Sequence, residues 1–232
     1  MIVLTRPAPA ARRFAGLLRA RGVWMPILFS PVMRIERSGR GPLPDGTLIF
    51  TSENGVRAAL SMGSLAGRTV IAVGARTASV AAACGARATA LGGNVTALAE
   101  ALIARADGPY VHLHGAEVTG NLVGDLRAAG LRATGFAIYR QTPRALTDAA
   151  RLALTSDIPT ILPLLSARSA EWAARDLDTE PRATVAVALS GQVLESWPWS
   201  DTALIARSTD ITGMCDAVVQ AIADRHGEGM TS

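Results

Sequence analysis

Short apolar runs alternate with Ala- and Leu-rich stretches of helical period along almost the whole chain. This is the pattern of parallel sheets with helices packed on both faces. The strand-like runs fall at 2–5, 23–29, 47–51, 69–73, 87–91, 109–113, 131–138, 158–165, 183–189 and 202–206, most of them entered through Gly or Pro. Helical periods lie between them at about 9–21, 53–62, 75–84, 95–106, 119–129, 144–154, 167–176, 191–197 and 210–226, with Arg on the solvent side. Ten parallel strands suggest two doubly wound units of five strands each, and 232 residues suffice for two such domains.

One connection breaks the alternation. Residues 30–46 carry Pro31, Pro42, Pro44 and three glycines in place of a helix, which predicts a crossing between domains. The return crossing is expected at Ile138-Tyr139-Arg140-Gln141-Thr142-Pro143, where a strand runs on into a polar segment ended by Pro. Residues 1–33 and 143–232 would then form a discontinuous outer domain, with 37–139 inserted into it. Val32–Arg37 would pair with Phe136–Thr142 as a two-stranded hinge, built from 30–46 and 138–143, beside a ligand cleft. A weak internal repeat supports the division. Phe50-Thr51-Ser52-Glu53-Asn54-Gly55-Val56 resembles Leu164-Leu165-Ser166-Ala167-Arg168-Ser169-Ala170, and each is followed by a second turn of similar kind, Val73-Gly74-Ala75-Arg76-Thr77-Ala78 and Leu189-Ser190-Gly191-Gln192-Val193-Leu194.

Composition narrows the function. The chain is 49% apolar and 18% charged, as a globular protein with real cores requires. Its longest apolar runs are broken by Pro well short of a membrane span, and it opens on a strand-like run rather than a signal segment, so no membrane association and a cytoplasmic location are expected. Cys84 and Cys215 sit in helical patterns and are expected as core thiols. Every one of the 23 basic residues is Arg, a side chain that grips carboxylates or phosphates through two parallel hydrogen bonds. The net charge of +4 lies wholly within 37–143, which holds ten Arg against six acids. An anionic partner fits this balance. Nucleic acid does not, because basic residues form no block and aromatic residues are few.

In an open parallel sheet, ligands bind beyond the carboxyl ends of the strands, where helix N-termini present unpaired N–H groups. Thr51, Ser52, Asn54, Gly74, Thr77, Gly115, Thr119, Gly120, Ser166, Ser169, Ser190 and Gly191 fall at or just after those ends, with Arg6, Arg76 and Arg168 beside them. Most such Ser, Thr and Gly positions are explained as helix caps and tight turns; their recurrence also suits a ligand with several carboxylates. His112-Leu113-His114-Gly115-Ala116-Glu117-Val118-Thr119-Gly120 has neither the glycine spacing of a dinucleotide site nor a P-loop Lys. His112 and His114 share one strand face and His226 is remote, so no metal site is expected. With no Gly-x-Ser-x-Gly elbow and no Cys–His pattern, covalent nucleophilic catalysis lacks an apparatus. Tyr139 follows an apolar strand directly at the expected mouth of the cleft. As a residue it reads first as packing; as a phenol, with a pKa of about 10, it can give a proton to departing hydroxide.

Taken together, Thr5-Arg6-Pro7, Thr51-Ser52-Glu53-Asn54-Gly55-Val56, Val73-Gly74-Ala75-Arg76-Thr77-Ala78 and Tyr139-Arg140 resemble the uroporphyrinogen-III synthase family in order and spacing, over nearly the whole chain. The resemblance implies two doubly wound domains, flavodoxin-like or Rossmann-like, joined by a β-ladder. It also implies conversion of hydroxymethylbilane to uroporphyrinogen III without cofactor or metal, by a monomer that receives substrate from hydroxymethylbilane synthase. Tyr139 would be the proton donor. Arg6, Thr51, Ser52, Asn54, Gly74, Arg76, Thr77, Gly115, Ser166, Arg168, Ser169 and Ser190 would hold the substrate. The chain departs from the family pattern at Leu165, where Thr or Ser is common, and at Ser190–Leu194, where Gly and paired Thr are common, which shifts the expected contacts there to backbone N–H groups and Arg168. Other readings are a nucleotide-sugar transferase of the same fold class, disfavoured by the missing phosphate signature, and a non-catalytic two-domain sensor of an anionic metabolite, which would not need Tyr139.

Overall fold

The computed structural model describes residues 1–118, 120–199 and 203–228, with the side chains of 226–228 excepted. The chain begins β1 (Ile2–Leu4), α1 (Ala8–Ala20), β2 (Ile27–Phe29), β3 (Met33–Arg37), β4 (Thr47–Phe50), α2 (Glu53–Ala59), β5 (Thr69–Ala72), α3 (Ala75–Ala83) and β6 (Arg87–Ala90). It continues α4 (Val95–Arg105), β7 (Tyr110–Gly115), α5 (Leu122–Ala128), β8 (Ala133–Pro143), α6 (Asp148–Thr155) and β9 (Thr160–Leu164). The last elements are α7 (Ala167–Arg175), β10 (Thr184–Ala188), α8 (Gly191–Leu194), β11 (Leu204–Ile205) and α9 (Ile211–Glu228). Two compact units result, Met1–Arg34 with Pro143–Ser232, and Ile35–Thr142.

The first unit holds a five-stranded sheet in the order β11-β10-β9-β1-β2, with its described pairs parallel. Alternation along β1 feeds two cores: Ile2 and Leu4 pack with Phe14, Leu18, Met214 and Val218, while Val3 packs with Leu162, Leu164 and Trp197 on the other face. Such two-sided burial is what crossover helices impose on a parallel sheet, and each Leu, Ile or Phe removed from water contributes about 1.5–3 kcal/mol. The exposed sheet edge is blunted by the brevity of β11, two residues long.

The second unit holds a six-stranded sheet in the order β3-β8-β7-β4-β5-β6. The five strands from β4 to β8 are parallel. Leu48, Phe50 and Val70 point to one core with Val56 and Ala81, and Ile49 and Ile71 to another with Leu98, Leu102 and Tyr110. Along β3 and β8 the partners run in opposite senses: Arg140 bonds Glu36 at 2.9 Å and Ser38 N–H donates to Ile138 at 2.9 Å. The β7–β8 pairing shifts register between His114 and Gly115.

The structure thus carries eleven described strands where the apolar pattern suggests ten. The addition is β3, and it makes the second sheet six-stranded because β8 is both the last strand of that sheet and the partner of β3. β8 also runs to Pro143 without a break at 138, since its polar end is paired through Glu36 to Arg140 and Thr142. α5 starts at Leu122 rather than 119, because Asn121 caps it by accepting from Gly124 N–H at 3.3 Å. The strand expected at 23–29 shortens to 27–29, and that at 202–206 falls partly outside the described residues.

Candidate active site

The second unit places Thr51, Ser52, Asn54, Gly74, Arg76, Thr77 and Gly115 at neighbouring strand ends, because β4 lies between β5 and β7. Ser52 leaves β4 in extended conformation and its Oγ accepts from Asn54 N–H at 3.1 Å, capping α2. Gly74 occupies the same position before α3 but has no side chain to cap with, and nothing lies within 4 Å of where a Cβ would stand. The first turn of α3 therefore presents its N–H groups without a competing hydroxyl. Arg76 stands exposed in that turn, 3.6 Å from the Glu53 carboxylate of α2, which also lies 4.0 Å from Arg57. Thr77, one residue on, is buried.

Beneath Thr51 lies a polar element that strand alternation alone does not reveal. Its hydroxyl is 3.3 Å from His112 Nε2 on β7. His112 is buried, and burial, reinforced by neighbouring His114, lowers its pKa from 6.5 to about 4, so the imidazole is neutral at physiological pH. The two rings lie 4.8 Å apart. His114 directs Nδ1 at the Gly115 carbonyl, 2.7 Å away, which makes that nitrogen the donor. Both histidines border a cavity of about 260 Å³ with Asn121, Arg127 and Gly135. Arg127 is tied through Nε to the Ala133 carbonyl at 2.7 Å. Gly120, one of the strand-end positions, borders this cavity as well; the residues expected to hold substrate do not.

Tyr139, expected at the mouth of a cleft and read first as a packing residue, is 6% exposed and belongs to the core with Phe50, Val56, Leu113 and Ile138. The physical reason is the register shift on β8, which turns the ring inward against the strand end at Gly115.

The first unit groups Ser166, Arg168, Ser169 and Ser190, because β9 and β10 are adjacent. Ser166 caps α7 by accepting from Ser169 N–H at 3.2 Å, and its own hydroxyl donates to Ser169 Oγ at 2.8 Å. Ser190 caps α8 by accepting from Val193 N–H at 3.4 Å. Arg168 lies over the Trp172 ring, 5.9 Å from its centroid. Arg6 follows β1, the strand next to β9, and precedes α1, whose cap position is Pro7 and which has no side-chain cap. Thr5 in the same turn is buried, and its hydroxyl has no partner among the described residues. A cavity of about 370 Å³ in this unit lies elsewhere, between β11 and α9, and includes no expected contact.

Thr119 and the side chain of His226 lie outside the described residues. Among the described residues no three His, Cys, Asp or Glu converge as metal ligands, and no helix is long and apolar enough to cross a membrane. Sequence reading missed Glu53 and His112 as groups that hold site residues. The signal for Glu53 was its position in a helix first turn, with Arg76 opening the next helix. For His112 only its placement on the strand paired with β4 could have served.

The family model of uroporphyrinogen-III synthase HemD matches residues 12–196. No curated protein matches. Among solved structures, the fold is similar to that of uroporphyrinogen-III synthetase from Helicobacter pylori, at a TM-score of 0.63 and 16% identity, over 85% of this chain and 94% of that one. A mutant uroporphyrinogen III synthase from the extremely thermophilic bacterium Thermus thermophilus aligns over 97% of this chain and 99% of its own, at 16% identity and a TM-score of 0.48. With four fifths of its length matched by one family model, and strand ends carrying the turns described above, the chain belongs to the uroporphyrinogen-III synthase HemD family.

Proposed function

We propose that this protein cyclises hydroxymethylbilane to uroporphyrinogen III, with loss of water and inversion of ring D, in the cytoplasm. The observation that carries the reading is a strand-to-helix turn repeated at 52, 74, 166 and 190, with Ser at three of the cap positions and Gly at the fourth, in a chain that belongs to this family. Helix N-termini and nearby guanidinium groups suit a ligand bearing many carboxylates.

The chemistry asks little of the protein beyond placement and one proton. The hydroxyl of the ring A hydroxymethyl group takes a proton from Tyr139 and leaves as water, and the electron pair of the pyrrole nitrogen forms the azafulvenium cation. The substituted carbon of ring D attacks that electrophile and gives a spiro intermediate. Fragmentation and reclosure through the other ring D α-carbon, whose proton returns to the Tyr139 phenolate directly or through water, deliver the inverted isomer. Free hydroxymethylbilane closes unaided to the non-inverted product, so selection of the crowded attack depends on holding one bent conformation. Arg6, Arg76, Arg168 and the uncapped turn at Gly74 supply the grip. Separation of the product isomers tests the proposal: type III as the main product supports it, and type I alone at the spontaneous rate overturns it.

A further inference from the structure

Gly115 was expected to touch substrate, yet its surroundings point elsewhere. A Cβ on this residue would stand 2.9 Å from Tyr139 Cζ, 3.0 Å from Cε2 and 3.2 Å from the hydroxyl oxygen. On the other ring edge, a Cβ on Gly55 would lie 3.7 Å from Cε1. Gly115 has no left-handed backbone angle, so conformational freedom does not explain the glycine. Space for the phenol does.

The backbone reaches the same end. Leu113 pairs with Phe136 and His114 with Ala137, but Gly115 pairs with Tyr139, so Ile138 is an extra residue on β8. In a regular strand, consecutive side chains point to opposite faces; here Ile138 and Tyr139 are both buried in the same core cluster. A bulge re-aims a side chain in this way. The Ala116 N–H bond to the Tyr139 carbonyl, at 2.7 Å, fixes the bulge on the side of β7. On the other side, Ser38 and Gly39 N–H both donate to Ile138, at 2.9 and 3.0 Å.

We infer that Gly115 is a positioning residue for Tyr139: its missing side chain and the bulge at Ile138 together form the slot that fixes the phenol. The inference rests on the proposed role of Tyr139 in cyclisation. It separates Gly115 from the carboxylate contacts and assigns it an effect on turnover rather than on affinity.

Steady-state kinetics on hydroxymethylbilane, in a double-mutant cycle, test this. Tyr139→Phe is expected to lower kcat by about 10²–10⁴-fold. Gly115→Ala should lower kcat by a comparable factor with KM nearly unchanged, and the double variant should be no slower than Tyr139→Phe alone, because both act through one hydroxyl. Additive losses, or a raised KM with kcat intact, would overturn the inference. A second readout does not use activity. The chain has two tyrosines, so 3-fluorotyrosine labelling gives signals that the Tyr139→Phe variant assigns, and Gly115→Ala should move the Tyr139 signal. In the unaltered protein, ring protons of Tyr139 should show Overhauser contacts to the α-protons of both Gly55 and Gly115. Their absence overturns the slot even if Gly115→Ala fails to fold. Contacts present without type III synthesis would instead sink the functional reading and leave the slot standing.

Discussion

The two units frame their strand-end turns with the same backbone bond and then use different side chains around it. In one, Val73 N–H donates to Phe50 at 3.0 Å; in the other, Leu189 N–H donates to Leu164 at 2.9 Å. Each bond joins two adjacent strand-to-helix turns, at 52 and 74 or at 166 and 190. In the first unit both turns are capped by Ser hydroxyls, and Arg168 rests on Trp172. In the second, Ser52 caps one turn, Gly74 leaves the other open, and a Glu53–Arg76 ion pair joins the two helices. The difference teaches that the shared frame sets where helix N-termini end, while side chains decide which N–H groups are satisfied internally and which can receive an anion. The second unit also holds Tyr139, His112 and a positive excess of ten Arg over seven acids, so electrostatic grip and acid chemistry are expected to concentrate there.

The largest expected effect breaks that asymmetry at Tyr139. Its change to Phe removes one hydroxyl from the second unit, and kcat should drop by about 10²–10⁴-fold while urea unfolding changes by about 1 kcal/mol or less. A variant that keeps near wild-type turnover and isomer ratio at saturation would remove Tyr139 as donor.

Acid should act next, and unevenly. His112 has a folded pKa of about 4 against 6.5 for the free side chain, so folding favours its neutral form. The stability it contributes is present above pH 6.5 and is lost as pH falls from 6.5 through 4, to a limit of about 3 kcal/mol. Hydrogen exchange should therefore show the second unit loosening over that window. His112→Gln should flatten the pH dependence, and an unchanged slope in that variant would assign the acid sensitivity to another group.

Smaller effects compare the cations. Arg76→Gln should raise KM for hydroxymethylbilane about tenfold, the scale of one charge-assisted hydrogen bond. Glu53→Gln should alter KM less than about threefold, because Arg76 is half exposed and its 3.6 Å contact with Glu53 holds it only weakly. A larger loss for Arg168→Gln than for Arg76→Gln would reverse the ranking of the two units. The smallest effects come from the caps. Ser166→Ala and Ser52→Ala should each cost about 1 kcal/mol in urea unfolding. Gly74→Ser should stabilise by a few tenths of a kcal/mol and yet weaken substrate binding, because its hydroxyl would occupy an N–H group that the open turn offers. Tighter binding by Gly74→Ser would contradict an anion at that turn.

Much of the architecture was legible because it rests on local period. The nine helices among the described residues fall within or against the helical periods expected for them, and the inner strands ending at Leu4, Phe50, Ala72 and Leu164 follow the runs at 2–5, 47–51, 69–73 and 158–165. β3 was legible only as a hinge partner, since Met33-Arg34-Ile35-Glu36-Arg37 alternates weakly and gains its place through pairing with β8. The candidate site was legible as residue types at turns and not as contacts. Ser52, Ser166 and Ser190 sit where capping chemistry predicts, but the bulge at Ile138 depends on register against β7, which no run of residues on β8 announces. Tyr139, read from the sequence as packing at the mouth of a cleft, is buried, and the register against β7 is what turns it inward. The His112–Thr51 contact joins residues 61 positions apart and exists only because β4 and β7 are neighbours.

The most direct test of the central claim is an assay of the purified protein, stripped of metals and nucleotides, with freshly prepared hydroxymethylbilane. Products are oxidised to porphyrins and the isomers separated. Formation of mainly type III, faster than spontaneous closure, is the predicted result. Type I alone at the spontaneous rate, from folded protein, would contradict the account.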